Sequence, residues 1–256
     1  MLAKISLLTA LLVAAIYPLS FWISAKDPLK NYFHRFHTGL ANVLCGLGAA
    51  ALSTMHPGNV FTCTAFFWLG ILLAVSWKCW AKESASPVLL TIPSIIGFYL
   101  LYQLSLFWFH SVAAFGLLVL GGFIFCSSLF AMNLGHWYLN APGLPIEHLR
   151  RTTYTFAGFL ALRAVLDVIL ALTQRTISDG DVISVFQFML RVDGFLLWLA
   201  VFFGTLFPLG CIYFVKGTLD VKNTQASTGI LYALLVSVII GDMTYKYYLI
   251  KFGIVL

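Results

Sequence analysis

The sequence predicts an all-α fold, a polytopic integral membrane protein built as a bundle of about eight transmembrane helices. Of the 256 residues, 61% are hydrophobic and only 9% are charged, and the mean hydropathy is +0.95. A soluble domain carries about 25% charged residues, so this composition excludes a water-soluble fold. Eight apolar stretches approach the length of about 20 residues that crosses the hydrocarbon core. We therefore expect residues 1–256 to form a single transmembrane helical domain.

Short polar or turn-forming segments separate the eight predicted spans. The first apolar run begins just after Lys4, the second is the shortest, and the fourth and fifth form a tight antiparallel hairpin around His110. Pro93 and Pro208 lie inside spans, where a kink is expected because proline removes a backbone donor. Proline or glycine marks several of the breaks: Pro28, Pro57 with Gly58, Pro87, Pro142 to Pro145, and Gly217. The predicted spans cover residues 5–24, 39–55, 60–80, 88–108, 112–133, 154–173, 190–214 and 229–249, with edges placed to within a few residues.

The basic residues of the loops predict the orientation, because Lys and Arg collect in cytoplasmic loops. Nine of them fall in the first, third, fifth and seventh loops: Lys26, Lys30, Arg35, Lys78, Lys82, Arg150, Arg151, Lys216 and Lys222. Five fall on the other side, termini included: Lys4, Arg175, Arg191, Lys246 and Lys251. This bias predicts a multi-pass protein of the cell (inner) membrane with both termini outside. Lys4, ahead of the first apolar run, favours the opposite orientation, and the larger count decides.

The charge and the cysteines argue against two functional classes. The formal charge of +6 is modest and spread over the loops, so it suits anionic lipid headgroups rather than nucleic acid, which usually needs a dense basic face. The five cysteines lie in or beside apolar segments and form no C-x-x-C pair. We expect buried thiols that act as small apolar residues, not a redox dithiol or a zinc site. The expected partners are the lipid bilayer and other subunits of a membrane complex.

Two charged residues stand inside the sixth predicted span, FAGFLALRAVLDVILAL. Arg163 and Asp167 are four residues apart, so they share one helix face and each offsets the cost of burying the other. Ionisable side chains in hydrocarbon are expensive and mark functional sites by default. The alternative is an internal ion pair that only fixes helix packing, and the sequence favours neither interpretation.

The last three spans bring further ionisable residues to the outer half of the predicted membrane. Arg191 and Asp193 open the seventh span, and Asp242 lies roughly one to two turns below Lys246 in the eighth. We expect Asp167, Arg191, Asp193 and Asp242 to meet there, covered by the loop TISDGDVISVFQ. Such an acid–base cluster suits proton exchange with a bound quinone, and Arg191 and Asp193 are also typical of the water interface. The candidate catalytic residues are Arg163, Asp167, Asp193 and Asp242.

The six histidines fall on both sides of the predicted membrane, and none lies at mid-span. His37 opens the second span on the inner side, and His56 closes it on the outer side. Two b-type haems are one interpretation, with His37 and His136 holding one and His56 and His110 the other, since histidine is a common axial ligand. The alternative is that these histidines are headgroup or loop residues in the wet interface. The alternative is favoured, because haem ligands normally lie one to two turns inside a span.

These observations predict a membrane subunit of an electron-transfer complex of respiratory or photosynthetic type. The candidate cofactors are a quinone at the outer polar cluster and haem b at the histidines. The sequence has no iron–sulfur or flavin motif, so the chain would be at most the quinone-interacting subunit of an oxidoreductase. In helix number alone the bundle resembles the membrane subunits of polysulfide-reductase-type oxidoreductases, which bind quinone near the outer face without needing haem; this resemblance transfers no residue. The alternatives are a small proton-coupled transporter and an accessory subunit without chemistry.

The loop charge bias makes a direct prediction about orientation. A cysteine introduced as Lys222→Cys should react with a membrane-impermeant maleimide only from the cytoplasmic side, because Lys222 belongs to the basic seventh loop. The parent chain measures the background labelling of the native cysteines. Labelling of Lys222→Cys from the outside would reverse the orientation and move the polar cluster to the inner half.

Overall fold

The computed structural model describes residues 1–27, 29–30, 32–140, 144–178 and 180–256. It is 82% helical, and eight of the described helices are long and apolar enough to cross a membrane. The prediction of an all-α, multi-pass membrane protein is confirmed, and these spans place the chain in contact with lipid. Contacts between residues divide the chain into two compact units, Met1–Gly122 and Phe123–Leu256, with the boundary inside one helix. The prediction of a single domain stays a prediction.

Every predicted span corresponds to one observed helical span, and most of the observed helices are longer. The second begins at Phe33, the sixth at Glu147, and the eighth runs from Thr224 to Phe252. Hydropathy identifies only the part of each helix that is apolar enough for the hydrocarbon core. The hydrogen-bonded turns of the helix continue beyond that part. Lys246 was counted above with the cations of the outer side and already lies within the eighth predicted span. The structure adds that it is only 3% exposed and pairs with Asp242, and the predicted orientation stays a prediction.

The described part of the first unit holds four helices and the start of a fifth. They are α1 (Leu2–Ile16, continued by a 3₁₀ segment over Tyr17–Ser24), α2 (Phe33–Met55), α3 (Val60–Trp80), α4 (Pro87–Phe109) and α5 (Val112–Asn140). In the first span, Leu2–Ser24, 61% of the residues in its apolar 18-residue stretch are buried, the largest such share among the eight described spans. Gly48 of α2, Gly97 of α4 and Gly122 of α5 each face it, and a Cβ at any of them would come within 3 Å of an α1 side chain. Small residues thus let neighbouring helices pack closely against α1.

In the second unit, the residues that the structure describes form the rest of α5, five further helices and two paired strands. Its elements are α6 (Glu147–Thr173), β1 (Arg175–Ser178), β2 (Asp181–Ser184), α7 (Val185–Met189), α8 (Phe195–Val201), a π-helical turn (Phe202–Leu206), α9 (Phe207–Asp220) and α10 (Thr224–Phe252). The two strands are antiparallel, with Arg175 opposite Ser184 and Ser178 opposite Asp181. The segment predicted as a covering loop is therefore a hairpin followed by α7. Ser184 begins α7 with a capping box, in which its hydroxyl accepts from the amide of Gln187.

The seventh span changes from α8 through the π-helical turn to α9 at a proline. The amide of Phe207 donates to the carbonyl of Phe202, five residues back. Pro208 has no N–H, so it cannot continue this pattern to the carbonyl of Phe203. The hydroxyl of Ser237 on α10 donates to that carbonyl instead, at 2.6 Å. The backbone group released by Pro208 is thus satisfied by the neighbouring helix, as buried backbone in a membrane requires.

The π-helical turn also crosses α10 through two glycines. A Cβ built on Gly241 would lie 2.1 Å from the Cα of Gly204, and one built on Gly204 would lie 2.8 Å from the ring of Tyr245. Only hydrogen atoms fit between the two backbones here. The contact fixes how the middle of the seventh span sits against α10.

The Gly204–Gly241 crossing predicts a position-specific loss of stability. Gly241→Ala should destabilise the protein by about 1–3 kcal/mol or more, because the clash is with backbone that cannot rotate away. Gly229→Ala is the matched control, since it lies on the same helix with nothing within 4 Å of its added Cβ. Thermal unfolding followed by size-exclusion chromatography in one detergent compares them. Equal melting temperatures for the two variants would contradict the close crossing.

Candidate functional site

The site begins with a buried ion pair on α6. Arg163 is 3% exposed and Asp167 is 4% exposed, and the Nε of Arg163 donates to Oδ1 of Asp167 at 2.9 Å. Their spacing of four residues puts both side chains on the buried face of an otherwise apolar helix. The guanidinium also donates to the main-chain oxygen of Leu256. Each charge therefore has an oppositely polarised partner in a region where an unpaired charge is costly.

The second oxygen of Asp167 is held by two hydroxyl groups. Thr205 donates to Oδ2 at 2.9 Å, and Tyr245 donates to the same oxygen at 2.7 Å. The two hydroxyl oxygens are 3.1 Å apart. The ring of Tyr245 lies under the guanidinium of Arg163, with the carbon of that group 3.8 Å from the ring centroid, a cation–π arrangement. We call Arg163, Asp167, Thr205 and Tyr245 the Asp167 cluster.

The backbone crossing described above brings this cluster together. Thr205 belongs to the π-helical turn and follows Gly204 directly. Tyr245 lies one turn after Gly241 on α10, and its ring is the side chain that a Cβ on Gly204 would strike. Because the two glycines let the backbones approach, both hydroxyl groups reach the same carboxylate oxygen on α6. Single turns of π-helix are frequent at functional sites.

Two members of the Asp167 cluster, Asp167 and Thr205, line a largely apolar groove of about 320 Å³. Asp167 and Thr205 contribute its polar end, and the indole N–H of Trp198 donates to the carbonyl of Met189 at 3.1 Å. The other lining residues are apolar: Ala164, Val168, Ala171, Leu172, Phe186, Met189, Val201, Leu206 and Leu256. Such a pocket, apolar with a few convergent polar groups, is typical of small-molecule sites.

Part of the groove lining is exposed on the apolar surface of the spans. Val168, Leu172 and Leu206 line it, and they are 62%, 60% and 51% exposed. Val168 lies within α6, Leu172 lies one residue before its end, and Leu206 ends the π-helical turn. Exposed apolar side chains of a spanning helix are in contact with hydrocarbon when the protein is in a bilayer.

The short helix α7, which follows the hairpin, borders the groove. Val185, Phe188 and Met189 of α7 pack with Tyr248 and Leu256 in one buried cluster, and Phe186 and Met189 reach the groove itself. The amide of Val255 donates to the side chain of Gln174 at 3.2 Å. The predicted covering segment thus does border the site, through the side chains of α7.

The structure places the other predicted acidic and basic residues apart from these contacts. Asp242 forms a second buried ion pair with Lys246 on α10, one turn away. The side chain of Asp193 is exposed in the turn before α8, and its main-chain oxygen accepts from the hydroxyl of Tyr248 at 2.7 Å. Arg191 donates to Ser178 of the hairpin at 3.0 Å. The described partners of Asp167 are the cluster residues, so a meeting of all four predicted residues is not what these contacts show.

The four histidines of the haem interpretation lie in three different settings. The ring of His37 is 1% exposed, its Nδ1 is 2.7 Å from the hydroxyl of Tyr17, and the ring of Phe33 is 4.1 Å away between centroids. His56 ends α2 beside the ring of Phe107, and His110 ends α4 in the left-handed region with φ 50°. His136 belongs to the second unit, where its Nδ1 is 3.5 Å from the hydroxyl of Tyr232.

The haem interpretation stays a prediction for both histidine pairs. His37 and His136 belong to different units, and the ring of His37 is packed among aromatic side chains. Among the described residues, no group of three or more His, Cys, Asp or Glu side chains is arranged to hold a metal ion.

Sequence reasoning missed Thr205 and Tyr245, and it did not pair Lys246 with Asp242. Neither Thr205 nor Tyr245 carries a charge or a motif, so no signal in the sequence marks them. Lys246 could have been found, because its spacing from Asp242 in an apolar span repeats the spacing of Arg163 and Asp167.

Comparisons of the chain with protein-family models, with curated proteins and with solved structures gave no match. Its function must therefore be argued from the geometry of the Asp167 cluster and its groove.

The buried ion pair predicts an unequal cost for single and double substitutions. Asp167→Asn alone should destabilise the folded protein by about 3–5 kcal/mol, because it leaves the Arg163 charge buried without its counter-ion. The folded yield should therefore fall strongly. Arg163→Gln combined with Asp167→Asn should recover most of the yield, since neither of these two side chains then carries a charge. Folded protein per cell, measured by size-exclusion chromatography of a fluorescent fusion, compares the variants. Equal damage in the single and double variants would mean that each side chain depends on other partners.

Proposed function

We propose that this chain is the membrane subunit of an electron-transfer complex and that it binds the head group of a quinone or quinol in the Asp167 groove. One observation carries the proposal. A buried carboxylate stands at the end of an apolar groove that opens toward lipid, and its ion-pair partner Arg163 lies behind it. Intramembrane ionisable residues of this kind commonly belong to substrate or proton pathways.

The shape and chemistry of the groove suit a quinone-type ring. Its volume of about 320 Å³ falls at the lower end of the usual range for small-ligand pockets. The aliphatic and aromatic lining matches a flat ring with an isoprenoid tail, and the exposed side chains Val168, Leu172 and Leu206 leave a path for the tail into the bilayer. Asp167 and Thr205, the polar lining side chains beside one another, would bind one ring oxygen.

The reaction needs other subunits. Oxidation of a quinol releases two electrons and two protons, so the chain must work with an electron acceptor such as a haem or an iron–sulfur centre in a partner subunit. Asp167 would accept the two ring protons in turn, passing the first to the outer side before it takes the second, which is the role of a general base. Under the predicted topology, with both termini outside the cell membrane, the groove lies in the outer half of the bilayer and releases protons outward.

A small proton-coupled transporter is the second candidate. The Asp242–Lys246 pair supports it, because a second buried ion pair on α10 gives the same unit two sets of intramembrane charges. Ligand binding at the Asp167 groove separates the two candidates, since the transporter does not require a quinone there.

A pair of matched substitutions tests the proposed site. Ala164→Phe should fill the groove and reduce labelling by an azido-quinone photoprobe about tenfold or more, a loss of about 1.4 kcal/mol of binding. Ala161→Phe makes the same change on the same helix, at an exposed position that does not line the groove, and should label like the parent. Mass spectrometry of protein in nanodiscs maps and quantifies the labelled peptides.

Competition makes the labelling test specific. Unlabelled decylubiquinol should suppress labelling of peptides from α6 and from the seventh span in the parent chain. Labelling that is not suppressed, or that is equal in Ala164→Phe and Ala161→Phe, would reject a quinone site in this groove.

A further inference from the structure

The polar end of the groove presents acceptors, and its hydrogen-bond donors are already used. Thr205 has one hydroxyl proton, and it is directed to Asp167 at 2.9 Å or to Tyr245 at 3.1 Å. The indole proton of Trp198 is donated to the carbonyl of Met189. Of the described side chains that line the groove, only Asp167, Thr205 and Trp198 carry nitrogen or oxygen. No lining side chain among them therefore has a proton to offer to a ligand.

The hydrogen-bonding capacity that is still unused at the groove consists of acceptor lone pairs on oxygen atoms. An ionised carboxylate offers about four acceptor sites. Asp167 uses one on Oδ1 for Arg163 and two on Oδ2 for Thr205 and Tyr245, which leaves one on Oδ1. The hydroxyl oxygen of Thr205 can also accept. Arg163 is directed to Asp167 and Leu256 and does not line the groove, so it does not offer its remaining protons there.

We infer that the groove selects the reduced, hydroxyl-bearing form of its ring ligand, and that the site therefore receives quinol rather than quinone. The inference rests on the function proposed above and specifies which redox form of the ligand enters that site. A hydroquinone O–H donates to the open lone pair of Asp167. A quinone has only carbonyl acceptors, so its oxygen would face the carboxylate without a proton between them. Leaving a buried acceptor unpaired reduces affinity by about tenfold or more.

A ligand series on the parent chain tests the selection directly. Three compounds with one tail compete against the azido-quinone photoprobe in nanodiscs under anaerobic conditions: decylhydroquinone, decylbenzoquinone and the dimethyl ether of decylhydroquinone. The hydroquinone should displace the probe at a concentration about tenfold lower than the other two. The dimethyl ether separates donor capacity from redox state, because it has the reduced ring but no O–H.

A double variant tests the role of Asp167 in the selection. Arg163→Gln with Asp167→Asn replaces the carboxylate by an amide, which brings N–H donors to the groove, so the preference for hydroquinone should disappear or reverse. Asp242→Asn with Lys246→Gln neutralises the other buried pair in the same way but leaves the groove lining unchanged. This control should keep the parent preference.

The possible results are distinguishable. Quinone binding as tightly as hydroquinone to the parent chain overturns the inference while the proposed function stands. The same holds if the dimethyl ether competes as well as the hydroquinone. If no compound displaces the probe from the groove, the proposed function fails as well. The parent series decides the inference by itself even if the Asp167 double variant does not accumulate.

Discussion

The arrangement of the second unit depends on the need to keep two opposite charges paired inside hydrocarbon. Arg163 and Asp167 neutralise each other along one helix face, but one ion pair leaves further donors and lone pairs unsatisfied. Thr205 and Tyr245 each donate a hydrogen bond to the carboxylate, and the main-chain oxygen of Leu256 accepts a hydrogen bond from the guanidinium. These groups come from α10, the seventh span and the residues after α10. The charge pair thus fixes the mutual positions of several elements.

The backbone of the seventh span also helps to form the site. Pro208 interrupts the hydrogen bonds of the seventh span, and the π-helical turn beside it places Thr205 toward α6. Ser237 compensates for the lost donor, and Gly204 and Gly241 allow the two helices to touch. A local irregularity that would be costly in isolation is therefore supported by its neighbours. The same irregularity creates a polar end for the groove within an otherwise apolar region.

The satisfaction of the charges also limits the chemistry. The protons of Thr205 and Trp198 are already donated within the protein, so the groove can recognise a ligand only through its unused hydrogen-bond acceptors. These acceptors are a carboxylate oxygen and a hydroxyl oxygen, surrounded by apolar side chains. A hydrophobic ring that carries its own hydroxyl proton fits this combination.

The sequence by itself determined the membrane class, the eight spans and the pairing of Arg163 with Asp167, because hydropathy and helical spacing are local properties of the chain. It did not determine the rest of the site. Thr205 and Tyr245 are 38 and 78 residues from Asp167, and neither belongs to a pattern that links it to a carboxylate. The hairpin and α7 were expected only as a covering loop, and Asp193 and Asp242 were expected beside Asp167. Only the tertiary structure, through the crossing of Gly204 and Gly241, decided which hydroxyl groups reach the buried charge, because contacts between distant helices depend on how their backbones pack.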